Sequence, residues 1–123
     1  METVNFDDLI GIPYKIHGRD TNGFDCYGLV LECCHRVGKP LKDVYYESIK
    51  IKSSQKNDYI QNGLNIEPIP KSEKYCLVEL RGDDFLHIGF MLDKKNVLHA
   101  TIKHGSKVSP IENLEVIGFY KVV

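Results

Sequence analysis

Residues 22–30 read Asn22-Gly23-Phe24-Asp25-Cys26-Tyr27-Gly28-Leu29-Val30, and the chain runs on from there to a stop at Gly38 and Pro40. Leu29, Val30, Cys33 and Val37 recur at helical spacing, so the stretch reads as a turn followed by a helix with one apolar face. Asp25 or Asn22 is a candidate N-cap. Cys26 therefore opens a helix directly behind a glycine-containing loop. A thiol there meets the positive end of the helix dipole and the unpaired N–H groups of the first turn, and both favour the reactive thiolate. The same N–H groups are placed to stabilise an oxyanion beside the sulfur. A cysteine on its own is more often a buried apolar residue than a nucleophile, so Cys26 needs partners elsewhere in the chain.

Upstream, residues 4–10 form a short amphipathic segment, and residues 11–24 a loop with the turn formers Pro13, Gly18, Asn22 and Gly23. Downstream, residues 44–51 have a β-branched and aromatic flavour, and residues 53–63 fit a short helix ending at Asn62-Gly63. Pro68 and Pro70 mark an extended connection. From Tyr75 the periodicity becomes that of strands, at residues 76–80, 87–92, 97–102 and 116–122. Asp93-Lys94-Lys95-Asn96 reads as a hairpin turn. Helix and strands segregate along the chain, which predicts an α+β fold.

The strands supply the partners. His87 starts one strand and His99 lies in the next. Side chains alternate faces along a strand, so the two rings meet only if the numbers of paired residues sum to an even value. A three-residue loop or a bulge provides that; a two-residue loop does not. With Leu92 opposite Asn96, His87 would face Thr101 and lie diagonal to His99, roughly 7–8 Å away along the backbone. A cysteine nucleophile needs an imidazole to take its proton and later protonate the leaving amine. That imidazole needs a third group on its other nitrogen. Either histidine alone reads as an ordinary sheet residue; with Cys26 the three read as a catalytic set.

The length of 123 residues predicts one domain spanning the chain, and 42% hydrophobic residues suffice for one core. Sixteen basic residues against seventeen acidic ones leave a net charge of −1, so no overall field points to nucleic acid or anionic lipid. The start, METVNFDDLI, lacks the basic and apolar pattern of a signal peptide, and no stretch approaches the roughly 20 apolar residues of a membrane span. The expectation is cytoplasmic synthesis. Cys33, Cys34 and Cys76 read as free buried thiols, and Cys34 and His35, being adjacent, do not share a face for a metal. His104 reads as an exposed loop residue, and Asp83 and Asp84 as a turn. No metal or cofactor is expected.

Gly23-Phe24-Asp25-Cys26-Tyr27-Gly28-Leu29-Val30 resembles the D-C-S-G-L nucleophile motif of the NlpC-type cell-wall cysteine peptidases, a papain-like family. His87-Ile88-Gly89-Phe90-Met91-Leu92 is similar to its H-V-G-I-Y strand, and Val97-Leu98-His99-Ala100-Thr101 to the segment that follows. Ile12-Pro13-Tyr14 with Gly18 resembles its P-Y-x-x-G-G. The resemblance covers residues 12–101, with four motifs in the family's order. It implies a papain-like α+β domain with the nucleophile helix packed on an antiparallel sheet. It implies Cys26 as nucleophile, His87 as general base and acid, and His99 as orienting group. It implies amide hydrolysis through a thioester in peptidoglycan stem peptides, after γ-D-glutamate. Tyr14 would position the nucleophile or the oxyanion, Asp25 would cap the helix or contact a substrate amine, and His17 would line the cleft. Tyr27 departs from the usual serine and His17 from the first glycine of P-Y-x-x-G-G. Asp93 stands where a glycine often ends the strand, and no G-D precedes the earlier strand. The G-x-D-C-Y-G-L form resembles phage tail-tip and prophage members, which implies a virion tail location and tail proteins as partners. Competing expectations are a cysteine and histidine amidase of the N-acetylmuramoyl-alanine type, a processing protease of tail proteins, and a non-enzymatic tail-assembly module that keeps the fold.

Overall fold

The computed structural model describes residues 4–43, 65–81 and 87–123. The segments at 44–51 and 53–63, and Asp83 and Asp84, lie outside the described residues. In chain order the elements are a 3-10 turn at Asp7–Leu9, β1 (Arg19–Asp20), β2 (Gly23–Phe24), α1 (Cys26–Arg36), β3 (Ile66–Ile69), β4 (Leu77–Leu80), β5 (His87–Met91), β6 (Asn96–Thr101), β7 (Gly105–Pro110), a second 3-10 turn at Ile111–Asn113, and β8 (Val116–Val122). The last six strands form one sheet in the order β3-β8-β4-β5-β6-β7, and every pair within it is antiparallel. The fold is α+β, with α1 packed against β5 and β6.

α1 starts where the Asp25 side chain, in extended backbone, accepts a hydrogen bond from Gly28 N–H. It stops at Val37, whose N–H reaches the Cys33 and Cys34 carbonyls, and at Gly38, whose φ of 73° leaves the helical region. Its apolar face carries Leu29, Val30 and Cys33, which bury against Phe24, Leu77, Ile88, Phe90 and Leu98. Arg36 ties the far end of the helix to Asp8 (2.6 Å) and Glu32 (2.9 Å). The opposite pleat of the sheet buries a smaller cluster of Cys76, Val78, Leu80, Met91 and Val97, flanked by Ile69 and Phe119.

The strand at residues 105–110 has no counterpart in the sequence expectations. Its sequence, Gly-Ser-Lys-Val-Ser-Pro, has no apolar alternation because it is an edge strand with Lys107 and Val108 exposed. The extended connection at Pro68 is itself strand β3, the other edge. A proline is tolerated there because only one side of the strand donates to a neighbour. The loop at 11–24 contains the two-residue hairpin β1–β2, too short to carry any periodicity. No described helix is long and apolar enough to cross a membrane.

Candidate active site

The hairpin between β5 and β6 sets the geometry. Asp93 accepts hydrogen bonds from Lys95 N–H (2.7 Å) and Asn96 N–H (2.8 Å), holding a three-residue loop. These bonds hold its carboxyl below the usual aspartate range. Leu92 N–H then donates to Asn96 O at 2.9 Å, and Phe90 pairs with Leu98 and Met91 with Val97. Those pairs have the even sum that places His87 and His99 on one pleat. The rings meet: His87 Nε2 lies 3.1 Å from His99 Nδ1, with centroids 5.4 Å apart and planes at 69°.

β7 completes the row. Val97 pairs with Ser109 and His99 with Lys107, so Ser109 stands on the same pleat as Val97 and His99. Ser109 Oγ lies 2.9 Å from His99 Nε2, and both residues are buried. Ser109 is absent from the sequence-based set. Its only signal is its spacing of ten residues from His99, which has meaning only once β7 is known to exist. Burial lowers the pKa of His87. Burial, then the neighbouring His87 and Lys107, pushes His99 down to about 4. Both rings are therefore neutral near neutral pH, and His87 is free to take a proton.

Cys26 is the first residue of α1 and is buried, at 1% exposure. The turn before it is held by several bonds around Asp25. This carboxylate is fully buried and accepts from Gly28 N–H at 2.6 Å and from Arg19 Nη1 at 2.8 Å. Its Oδ2 is buried without a hydrogen-bond partner. Of the two roles read from sequence for Asp25, the structure places it in the capping one. Gly28 is required by close approach: a Cβ there would lie 2.0 Å from the Gly18 carbonyl oxygen. Tyr14 is half-buried and bridges to Phe24 in parallel, with Phe24 N–H donating to Pro13 O and Lys15 N–H to Phe24 O. The Tyr14 segment thus lies alongside the strand that leads into Cys26. His17 is exposed in a turn with a φ of 62°, a left-handed backbone that explains why the similar motif has glycine there. Tyr27 is fully buried; its hydroxyl donates to the Lys42 carbonyl, and the Arg19 guanidinium lies 5.8 Å from its ring centroid.

Burial raises the thiol pKa values of Cys33, Cys34 (to about 12) and Cys76. These three are inert core residues. Among the described residues, no group of three His, Cys, Asp or Glu side chains could hold a metal.

No family model matches the chain, and no curated protein matches it. Solved structures do. The NlpC/p60 domain of the peptidoglycan hydrolase SagA superposes with a TM-score of 0.63 at 18% identity, covering 95% of this chain and 92% of that one. An NlpC/p60 family protein from Bacillus cereus ATCC 10987 gives a TM-score of 0.58 at 18% identity over 98% of this chain, which spans only 40% of that protein. The paired imidazoles and the cysteine-started helix therefore stand on the papain-like α+β fold of NlpC/p60 domains.

Proposed function

We propose that residues 1–123 form one NlpC-type cysteine hydrolase domain that cleaves amide bonds in peptidoglycan stem peptides. The observation that carries this reading is the 3.1 Å contact between His87 and His99, on strands against which the Cys26 helix packs. One neutral imidazole held by a second, together with a helix-start thiol, is the set of groups that thiol acyl transfer uses. The peptidoglycan substrate is supported by the fold shared with SagA and by the four sequence motifs; the bond after γ-D-glutamate and carriage on a phage tail are supported by those motifs alone.

The reaction follows from the residues. His87 takes the Cys26 proton, and the thiolate attacks the amide carbonyl carbon. First-turn N–H groups of α1 stabilise the oxyanion. The C–N bond breaks as His87 returns the proton to the leaving amine, leaving a thioester on Cys26. Water, deprotonated by His87, then attacks the thioester and releases the carboxylate and the thiol. His87 and His99 lie on the pleat opposite Ile88 and Phe90, against which the Cys26 helix packs, so the sulfur would have to reach His87 around the start of β5. The reading requires that contact.

The test is hydrolysis of muropeptide fragments containing a γ-D-glutamyl bond, with products identified by mass, alongside iodoacetamide alkylation of Cys26 across pH. Wild type is expected to cleave and to alkylate rapidly below pH 7. Cys26→Ala abolishes cleavage, and His87→Ala removes both cleavage and rapid alkylation. Cleavage or alkylation unaffected by His87→Ala would falsify the reading.

A further inference from the structure

We infer that Ser109 is a positioning residue whose hydroxyl supplies the acceptor that the base-competent tautomers of His99 and, through it, of His87 require. The inference rests on the hydrolytic reading of Cys26, His87 and His99. Three buried or half-buried groups form one line: Ser109 Oγ, 2.9 Å from His99 Nε2, and His99 Nδ1, 3.1 Å from His87 Nε2. Each ring nitrogen in such a line is either donor or acceptor, and the choices are linked.

Two proton arrangements satisfy the line. In the first, His87 Nε2–H donates to His99 Nδ1, and His99 Nε2–H donates to Ser109 Oγ. His87 Nδ1 then carries a bare lone pair and can accept the thiol proton. In the second, the Ser109 hydroxyl donates to His99 Nε2, and His99 Nδ1–H donates to His87 Nε2. His87 Nδ1 then bears its ring's proton and cannot act as a base. The reaction selects the first arrangement. Once His87 has taken the Cys26 proton it is an imidazolium with N–H on both nitrogens, so His99 Nδ1 must accept and the His99 proton must sit on Nε2.

That Nε2–H is not left to solvent. His99 is 3% exposed and Ser109 7% exposed. A buried donor without an acceptor is costly, so the tautomer needed for base catalysis depends on an acceptor from the protein. Ser109 Oγ is that acceptor. Its place follows from the β6–β7 register, in which Ser109 pairs with Val97 and reaches diagonally to His99 on the same pleat. A hydroxyl suits this better than a carboxylate would, since it leaves both histidines neutral and readily charged only at His87.

The experiment compares wild type with Ser109→Ala, Ser109→Val and Ser109→Thr; valine and threonine share a shape and differ in the hydroxyl. The first measurement is the tautomer of each ring, from two-bond 1H–15N couplings in 15N-histidine-labelled protein. Wild type is expected to show both His87 and His99 protonated at Nε2. Ser109→Ala and Ser109→Val raise the Nδ1–H fraction of His99 and lower kcat roughly 10- to 100-fold, with KM little changed. Ser109→Thr restores both readouts. Unmoved tautomers and kcat within twofold in folded Ser109→Ala and Ser109→Val, in a protein that His87→Ala inactivates, overturn the inference alone. Turnover that survives His87→Ala overturns the hydrolytic reading and this inference with it.

Discussion

Replacing Gly89 by alanine tests how closely β5 and β6 must approach for the histidines to meet. A Cβ at Gly89 would lie 2.5 Å from Val97 Cγ2, 3.3 Å from His99 Cβ and 3.3 Å from Val78 Cγ1. Ordinary carbon contacts are about 3.5–4.0 Å, so Val97 must retreat by about 1 Å. It has nowhere open to go, since Val97, Val78 and Met91 are all fully buried in one cluster. Overpacking of this kind costs about 1–3 kcal/mol. Against it, losing the flexibility of a strand glycine in the unfolded chain returns about 0.5–1 kcal/mol. The net expectation is a loss of about 1–1.5 kcal/mol. With an unfolding entropy of roughly 2 cal/mol/K per residue, that lowers Tm by about 5 °C. Activity should suffer more than stability. His99 Cβ yields by a few tenths of an ångström, and a ring contact of 3.1 Å lengthens toward the limit of a hydrogen bond. Calorimetry and muropeptide hydrolysis on the same preparation decide the matter. A Tm within 2 °C of wild type, with turnover within about twofold, would refute the argument that Gly89 exists to admit this contact.

Two further outcomes follow from the site. His99, pushed down to about 4 by burial, is neutral in the fold where the unfolded chain would protonate near 6.5. The unfolded state thus binds more protons in this window, so stability falls as pH drops from about 6.5 toward 4. His99 alone contributes roughly 2 kcal/mol of loss between pH 7 and 4.5, and His87, lowered in the same direction, adds to it. Urea midpoints at the two pH values should show His99→Asn losing less than wild type; equal losses would rule His99 out as the source. Asp25→Ala removes the cap on Gly28 and the partner of Arg19, and is expected to cost about 3 kcal/mol. Asp25→Asn, which keeps one oxygen for Gly28 N–H, should cost about 1 kcal/mol. Equal urea midpoints for the two variants would show that the cap does not hold α1.

Much of this arrangement is legible in the chain because it is encoded locally. Asp25, Gly28 and the Leu29–Val30–Cys33 spacing specify a capped helix start without reference to anything distant. Asp93 and its three-residue loop specify the hairpin register, and with it the meeting of His87 and His99. What the chain conceals is non-local. β7 has no apolar period because its buried side chains are the polar Ser106 and Ser109 while Lys107 and Val108 face solvent, so neither the strand nor the reach of Ser109 to His99 can be read from residues 105–110. Pro68 signals a break wherever it stands, and only its position at a sheet edge makes it compatible with a strand. The burial of Tyr27 against Arg19 and the Lys42 carbonyl depends on a contact across fifteen residues of sequence. The left-handed backbone at His17, a conformation easiest for glycine, likewise cannot be read from the residue that occupies it.

The two rims of the sheet are treated differently from its middle, and this bears on how the protein behaves in company. An open strand edge invites the backbone of another molecule to pair with it. At β3, Pro68 interrupts the row of donors. At β7, residues 9–12 occupy the row instead: Gly11 N–H donates to Ser106 O, Ser106 N–H to Ile12 O, and Ser106 Oγ accepts from Ile12 N–H while donating to Leu9 O. The occupying segment continues through Tyr14, which bridges to Phe24 in the strand that leads into Cys26. Peeling it away would therefore expose a sticky edge and loosen the turn before Cys26 in the same event, so the protein's resistance to self-association and the proposed hydrolytic activity should be lost together rather than one at a time.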